Sequence, residues 1–304
     1  MRNLIVLALV GLAAQLVDGS LGMAYGVTSS TLLLAAGVAP AAASAAVHFS
    51  ELGTTLVSGF SHHKLGNVDW RTVSILAVPG AVGAFAGATF LASLPGDVAK
   101  PWVAGLLLLL GCYVVYRFLV LRGRRPHFPG RPSAKMLAPL GLFAGAMDAI
   151  GGGGWGPVGT TTLLSSGRLE PRKVVGSIDT SEFLVAVGGS AGFLLALGSQ
   201  GIEWQIAGAL LIGGVIAAPF AAWLVKHLPA TVLGVAAGGV IILTNTKTIL
   251  EAVGASGQTV GTAAAALALA WVLALAVAIR DHRRHVDAAA LETQAAQREG
   301  LSVS

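Results

Sequence analysis

Six ionisable side chains lie inside apolar stretches of this sequence. An ionisable residue at membrane depth costs roughly 2.5–3.5 kcal/mol on insertion scales, so each one needs a chemical or structural reason. Carboxylates and histidine can exchange a proton or attract a cation, which are the tasks of a coupling site in a transporter. We predict that coupling role for Asp18, His48, Glu51, Asp148, Asp179 and Glu182.

Each of these residues also has a structural interpretation. Asp18 and Asp148 could cap the helix that follows them, because an Asp oxygen accepts free backbone N–H groups. The other four form two pairs, each three apart in sequence and therefore on one helical turn. Those pairs could bind polar backbone and hold the fold together, or one carboxylate could exchange a proton. Both interpretations remain open at this point.

A glycine-rich motif precedes a hydroxyl cluster twice, with clusters at 28–31 and 160–162. The glycines are no nucleotide loop, since they lack the Lys-Ser/Thr ending of a P-loop. A half-helix that begins near the hydroxyls would point its free N–H groups at the membrane interior and attract anions. Helix packing is the alternative use of the hydroxyls. We predict substrate binding by Gly22, Ser29, Ser30, Gly152, Gly153, Thr160 and Thr161.

The two motifs belong to an internal duplication. Aligning Asp18 with Asp148 superposes the motif Asp18-Gly-Ser-Leu-Gly22 on its second copy. Moving the register by one position superposes the Ser-Glu pair at 50–51 on the pair at 181–182. Duplication within an apolar chain is typical of membrane transporters, whose site lies where the copies meet.

Composition supports a polytopic membrane protein. Of the 304 residues, 55% are hydrophobic and 11% are charged. A soluble domain carries roughly 25% charged residues, so this chain has too little polar surface to face water. The net charge of +5 comes from Lys and Arg between apolar runs and at the ends, which indicates lipid headgroups rather than nucleic acid as the partner. Cys112 is the single cysteine, which excludes an intrachain disulfide.

Apolar runs of about 20 residues predict spanning helices. A longer, interrupted segment opens each copy, at 3–37 and 136–166, and each could be a broken helix or a re-entrant hairpin of two half-helices. The predicted spans are 42–61, 71–93, 101–120, 173–198, 205–225, 229–249 and, without a counterpart in the first copy, 259–279.

Positive charge favours the hairpin. The basic residues of 117–135 and of the tail after Ile279 indicate the cytoplasm, and both lie on one side only if 136–166 enters the membrane and returns. The loop with His62, His63 and Lys64 then also lies inside. A first segment that crosses fully would instead place Arg2 inside and give eight spans.

We therefore predict an all-α polytopic membrane protein. It contains two inverted repeats, each a glycine-rich broken or re-entrant hairpin plus three spanning helices, followed by one extra C-terminal span. The predicted parts are a first repeat at 1–122, a basic cytoplasmic loop at 123–135, a second repeat at 136–250, the extra span at 259–279 and a polar cytoplasmic tail at 280–304.

The two hairpins resemble those of the sulfite exporter TauE/SafE family. The resemblance rests on Gln15-Leu-Val-Asp18-Gly-Ser-Leu-Gly22, on Gly145-Ala-Met-Asp148-Ala-Ile-Gly-Gly152-Gly-Gly-Trp155-Gly156-Pro157 and on the Ser-Glu helix that follows each. It covers roughly residues 1–280. It implies transport of sulfur-containing anions such as sulfite or small organosulfonates.

The sequence thus favours a secondary transporter of the plasma membrane that exports a small oxyanion with ion or proton coupling. A cation carrier that uses the same carboxylates is the first alternative. A membrane-embedded enzyme is the second, although the hydroxyl, His and carboxylate residues form no recognisable nucleophile–base motif. We expect no cofactor, no metal and no ATP site.

Overall fold

A computed structural model describes residues 4–21, 23–119, 131–227 and 230–301, and within these ranges the chain is helical and contains no strand. A π-helical turn comprises Trp155–Thr160, and a 3-10 turn comprises Ser199–Gly201. The helices are α1 Leu4–Leu21, α2 Tyr25–Ala35, α3 Pro40–Lys64, α4 Trp70–Ser93, α5 Gly96–Leu119, α6 Ala134–Gly151, α7 Thr161–Ser166, α8 Pro171–Leu197, α9 Trp204–His227, α10 Ala230–Ala252 and α11 Gly257–Leu301.

Both predicted interruptions are observed at the glycine-rich motifs. The first separates α1 from α2, where Ala24 has a φ of 101° in the left-handed region. The second follows α6, where Gly152 adopts a φ of 66° and the chain continues through Gly153 and Gly154 into the π-helical turn. Left-handed backbone suits glycine, which has no Cβ to clash. The second interruption therefore lies where the sequence supplies a residue that can end a helix.

Five of the described helices are long and apolar enough to cross a membrane: Trp70–Ser93, Gly96–Leu119, Arg172–Leu197, Thr231–Ala252 and Gly257–Arg283. The predicted span at 42–61 corresponds to α3, which has sufficient length at 25 residues. Its hydroxyl, His and Glu side chains make it more polar than the five. Several of these polar residues lie on the buried face of α3, so the helix belongs to the interior of the bundle.

The second half of the protein shows how the interrupted segment is arranged. The backbones of α4 and α6 lie in close contact, and the two helices run in the same direction. Gly141 contacts Leu76, and one turn further along both helices Gly145 contacts Gly80. Glycine at these positions allows the backbones to approach.

Helix α8 also runs parallel to α4. Gly188 contacts Ala81, and Gly192 contacts Phe85 one turn later. Since α6 and α8 both run in the direction of α4, the segment 152–170 between them must return to the side from which α6 entered. This is the path of a hairpin and not of a helix that crosses.

The centre of the bundle is formed by α3 and α8, which run antiparallel. Gly59 of α3 contacts Thr180 of α8, and Gly189 of α8 contacts His48 of α3. Ionisable side chains from both helices face this contact. The antiparallel pair therefore brings the Ser-Glu segments of the two copies into the same region.

Helix α11 lies at the periphery, packed on α10, where Trp271 Nε1 donates a hydrogen bond to the carbonyl oxygen of Val235 at 3.1 Å. Little of its apolar span is buried within the protein, as expected for a helix that faces lipid. Its backbone remains helical to Leu301, through most of the predicted polar tail. The tail is rich in Ala, Gln, Glu and Arg, which have high helix propensity and explain that continuation.

Candidate transport site

The two interruptions contact each other in the protein interior. Gly26 lies against the carbonyl oxygen of Gly152 and the Cα of Gly153, and a Cβ on Gly153 would overlap the backbone nitrogen of Val27. Ser30 Oγ donates a hydrogen bond to the Gly152 carbonyl oxygen at 2.7 Å. The glycines of the two motifs thus let two irregular backbone segments cross with no side chain between them.

One aspartate orders each interruption. Asp18 Oδ1 accepts the N–H of Tyr25 at 3.0 Å. Asp148 Oδ1 accepts the N–H of Gly154 at 2.7 Å and that of Trp155 at 3.0 Å. These contacts satisfy backbone donors at the start of the returning segment, as the capping interpretation predicts. Asp148 Oδ2 accepts no hydrogen bond from the described residues and is available to bind a cation or a proton.

The predicted substrate-binding hydroxyls divide into two groups. Ser30 and Thr161 are engaged with backbone, since Thr161 Oγ1 donates to the carbonyl oxygen of Pro157. Ser29 Oγ and Thr160 Oγ1 are buried and have no hydrogen-bond partner among the described residues. A buried hydroxyl without a protein partner carries a free-energy penalty, so these two atoms are candidates to bind a ligand.

The predicted glycines differ from the hydroxyls in what they offer. The backbone N–H groups of Gly152 and Gly153 both donate to the carbonyl oxygen of Asp148. They are therefore not free donors in this conformation, and their evident contribution is close backbone approach. Gly22 lies outside the described residues.

Three of the predicted coupling residues meet in one buried cluster. His48 Nε2 lies 3.4 Å from Asp148 Oδ2. One ligand atom each from His48, Glu51 and Asp148 lies within 4.8 Å of the others. All three side chains are almost completely buried, and neither carboxylate oxygen of Glu51 has a hydrogen-bond partner among the described residues.

The histidine in this cluster faces acceptors on both sides. Its Nδ1 lies 3.0 Å from the carbonyl oxygen of Ser44. That oxygen can only accept, so Nδ1 carries a hydrogen. A neutral ring would then direct the Nε2 lone pair at Asp148 Oδ2. A cation between these atoms, either a proton on Nε2 or a metal ion, removes that repulsion. A carbonyl partner at Nδ1 is also the usual support of a histidine that ligates a metal through Nε2.

Asp179 and Glu182 lie on α8 beside this cluster. Asp179 Oδ2 accepts a hydrogen bond from Ser58 Oγ at 2.7 Å and lies 3.3 Å from His62 Nε2. Both carboxylates line a pocket that also contains Asp18 and Glu51. All six predicted coupling residues are thus distributed over one cluster and one adjoining pocket.

Some polar residues of this region were not predicted from the sequence. Ser44 Oγ donates to the carbonyl oxygen of Ala149 at 2.6 Å and so joins α3 to the second interruption. Thr55 and Ser58 line the pocket. Their positions, four and seven after Glu51, put them on one helical face, and that periodicity is the signal that could have identified them.

Asn245 of α10 contacts the first hydroxyl cluster. Its Nδ2 donates to Thr31 Oγ1 at 3.0 Å and to the carbonyl oxygen of Ile241 at 2.9 Å. The contact joins α10 to α2. One member of the first hydroxyl cluster is therefore used for helix packing.

The apolar helices and the two interrupted segments that meet in the interior define a polytopic membrane protein of the transporter class. The chain belongs to the sulfite exporter TauE/SafE family, whose model matches residues 7–248. It is 55% identical over 254 residues to the probable membrane transporter protein YtnM of Bacillus subtilis (strain 168), in a match that covers 83% of this chain and 84% of that protein.

A more distant relative is the probable membrane transporter protein YdhB of the same strain. It is 26% identical over 182 residues, 59% of this chain and 73% of that protein. No solved structure matches the chain. Both relatives are described as probable membrane transporters, which agrees with a membrane transporter.

Proposed function

We propose that this protein is a secondary transporter of the plasma membrane that exports a small sulfur-containing oxyanion, such as sulfite or an organosulfonate. The family name supplies the substrate class, and the site chemistry is compatible with it. An oxyanion offers acceptors only, so its site needs unengaged donors shielded from water. Ser29 and Thr160, in the segments that follow the two interruptions, could supply such donors.

One observation carries this proposal. Ser29 and Thr160 occupy equivalent positions in the two copies, in the register that aligns Glu51 with Glu182. Both hydroxyls are buried without a partner among the described residues. We assign to them the hydrogen bonds to the oxyanion. The other predicted residues shape the site: hydroxyls that fix the backbone around it and glycines that leave the space side chains would fill, namely Ser30, Thr161, Gly22, Gly152 and Gly153.

The proposed architecture is an inverted repeat. Helices α1, α3, α4 and α5 correspond in sequence order to α6, α8, α9 and α10. If the copies are exchanged, the extensive α4–α6 contact becomes α9–α1, which is also extensive, while α3–α8 and α5–α10 map onto themselves. The antiparallel α3–α8 pair requires an axis in the membrane plane. These contacts support an inverted arrangement with the substrate near that axis.

An inside-negative potential already favours the export of an anion, by about 2.3 kcal/mol per charge per 100 mV. The carboxylates of the cluster and the pocket are therefore not needed to drive export itself. We propose that Glu51 or Glu182 exchanges a proton in each transport cycle, which makes the rate depend on pH. Asp18 and Asp148 chiefly order the hairpins.

A cation carrier is the second candidate function. The arrangement of His48, Glu51 and Asp148 favours it, because these three side chains could ligate a cation between them. In that case the cation would be the transported species, and oxyanions would have no effect on its movement.

A transport assay in proteoliposomes separates the two candidates. The purified protein is tested with sulfite, small organosulfonates, sulfate and phosphate, with and without a pH gradient, and with monovalent and divalent cations. Uptake of sulfite or an organosulfonate that empty liposomes lack supports the proposal. Cation flux with no flux of any oxyanion contradicts it and favours the carrier.

A further inference from the structure

A half-open pocket lies between α1, α3 and α8, next to the buried cluster. Among the described residues, those that line it include four carboxylates, from Asp18, Glu51, Asp179 and Glu182, and no basic side chain. A cleft lined by one sign of charge concentrates ions of the opposite sign and repels its own. The pocket therefore suits a cation and opposes the entry of an oxyanion.

The pocket has a deep end and an outer end. At the deep end lies Glu51, whose two carboxylate oxygens are buried and unpartnered among the described residues. The outer end lies two turns along α3, where Asp179 contacts Ser58 and His62. His62 is 23% exposed and lies near the C-terminal end of α3. The distribution of positive charge puts that end in the cytoplasm.

The duplication supplies an internal comparison. In the register that aligns Glu51 with Glu182, the polar positions Thr54, Thr55 and Ser58 correspond to Val185, Ala186 and Gly189. Val185 and Ala186 are completely buried, and the ring of His48 occupies the space beside Gly189. The equivalent positions on α8 thus carry no polar side chain, and the ring of His48 fills the space beside the last of them. Among the described residues, these hydroxyl-bearing positions therefore occur on α3 and not at the equivalent places on α8.

From this asymmetry we infer that the acidic pocket is a one-sided path by which protons reach the His48–Glu51–Asp148 cluster from the C-terminal end of α3, and that the oxyanion does not use it. The charged groups that face Glu51 are His48 on its own helix, Asp148 on α6, Asp18 on α1 and Glu182 on α8. Asp179 and His62 face each other at the outer end. The inference depends on the proposed function in one respect only, which is the role of the proton in the transport cycle.

Charged thiol reagents test this path without any substrate. In a Cys112→Ala background, Ser58→Cys places a thiol at the outer end of the pocket. Its reaction rates with cationic aminoethyl methanethiosulfonate and anionic sulfonatoethyl methanethiosulfonate are measured in membrane vesicles of both orientations. Ser61→Cys, exposed one turn further along α3, is the matched control.

The ratio of the cationic to the anionic rate should be at least about tenfold higher at Ser58→Cys than at Ser61→Cys, because a charged cleft raises the local ion concentration by that order. The reaction should occur from the side at which α3 ends, and Asp179→Asn should lower the ratio. Comparing the two reagents at one thiol cancels differences in thiolate content. Thr54→Cys replaces Ser58→Cys if the latter fails to fold.

Equal ratios at the two positions, a preference for the anionic reagent, or no reaction at the pocket would each overturn the inference. A preference for the anionic reagent would make the pocket the entrance of the oxyanion instead. None of these outcomes depends on whether the protein carries sulfite. Failure of the proposed function and failure of the path are therefore separate results.

Discussion

At the scale of single residues, the defining feature is a set of buried polar atoms that have no hydrogen-bond partner among the described residues. Ser29 and Thr160 present hydroxyls without partners among the described residues, and Glu51 presents two carboxylate oxygens. Burial of such groups costs free energy unless something binds them. The hydroxyl donors suit an anion, and the carboxylates suit a proton.

Proton exchange can be tested with isosteric variants. Glu51→Gln and Glu182→Gln keep the size and hydrogen-bonding capacity of the side chain but cannot titrate. At least one of them should lose the pH dependence of the transport rate and still bind substrate. Initial rates in proteoliposomes over a range of pH, together with binding to the purified protein, measure the two effects separately.

Glu251→Gln is the matched control, because Glu251 is an exposed carboxylate of α10 that pairs with Lys247 at 3.7 Å. It should retain the pH dependence of the wild type. If the Glu51 and Glu182 variants both retain it as well, the two glutamates have a structural role and the coupling hypothesis is wrong.

At the scale of elements, the crossing of the two interruptions depends on glycine. A Cβ on Gly153 would overlap the nitrogen of Val27, which is backbone and cannot rotate away. Asp148 orders the same segment by accepting two backbone N–H groups. The shape of the site thus depends on the absence of a side chain at Gly153 and on the Oδ1 atom of Asp148.

Gly153→Ala should therefore lower the melting temperature of the protein in detergent, with a cost of at least about 1–3 kcal/mol, as for an overpacked interior. Gly105→Ala is the control, since no atom lies within 4 Å of a Cβ added there. That variant should be neutral or slightly stabilising, because alanine is the better helix former. Equal melting temperatures for Gly153→Ala and the wild type would contradict the crossing.

The cap at Asp148 gives a second test at this scale. Asn keeps an oxygen that can accept the N–H groups of Gly154 and Trp155, whereas Ala has none. Asp148→Ala should thus be less stable than Asp148→Asn by about 1 kcal/mol, the usual value of a helix cap. Thermal unfolding of both variants measures the difference. Equal stability would show that the carboxylate does not order the hairpin.

Much of this element structure could be predicted from the sequence. The glycine motifs predicted where the helices break, and the six ionisable residues were identified because charges are rare in apolar runs. The partners could not be predicted, since His48 is related by the repeat to Asp179 yet lies beside Asp148. That pairing depends on how the two halves cross, which single-chain spacing does not encode. Ser44 and Ser58 were not predicted as site residues, because serine is common in membrane helices.

At the scale of the whole molecule, the two halves differ in the chemistry of equivalent sequence positions. Thr54, Thr55 and Ser58 of the first half line the acidic pocket. The equivalent positions of the second half, Val185, Ala186 and Gly189, carry no polar side chain. Such a difference gives a duplicated chain two unlike faces. A transporter needs this asymmetry if it is to take up protons on one side and release its substrate on the other.

The orientation of the whole chain is a prediction from its positive charges. Cysteines introduced one at a time at Pro126, Gln200 and Ser304, in a Cys112→Ala background, report the side of each position. An impermeant thiol reagent added outside intact cells should label only Gln200→Cys, because the loop at 199–204 has no Lys or Arg and positive charge marks the cytoplasmic side. Labelling of Ser304→Cys from outside would contradict the hairpin topology.

The central claim is that Ser29 and Thr160 bind an oxyanion where the two halves meet, and calorimetric titration of sulfite into the purified protein tests it most directly. The wild type should bind, and Ser29→Ala combined with Thr160→Ala should weaken binding at least about tenfold, since a hydrogen bond to a charged group contributes about 1.5–3 kcal/mol. Thr89→Ala, which removes a hydroxyl that bonds the backbone of its own helix α4, should bind as the wild type does. A folded double variant with wild-type affinity for sulfite would contradict the account.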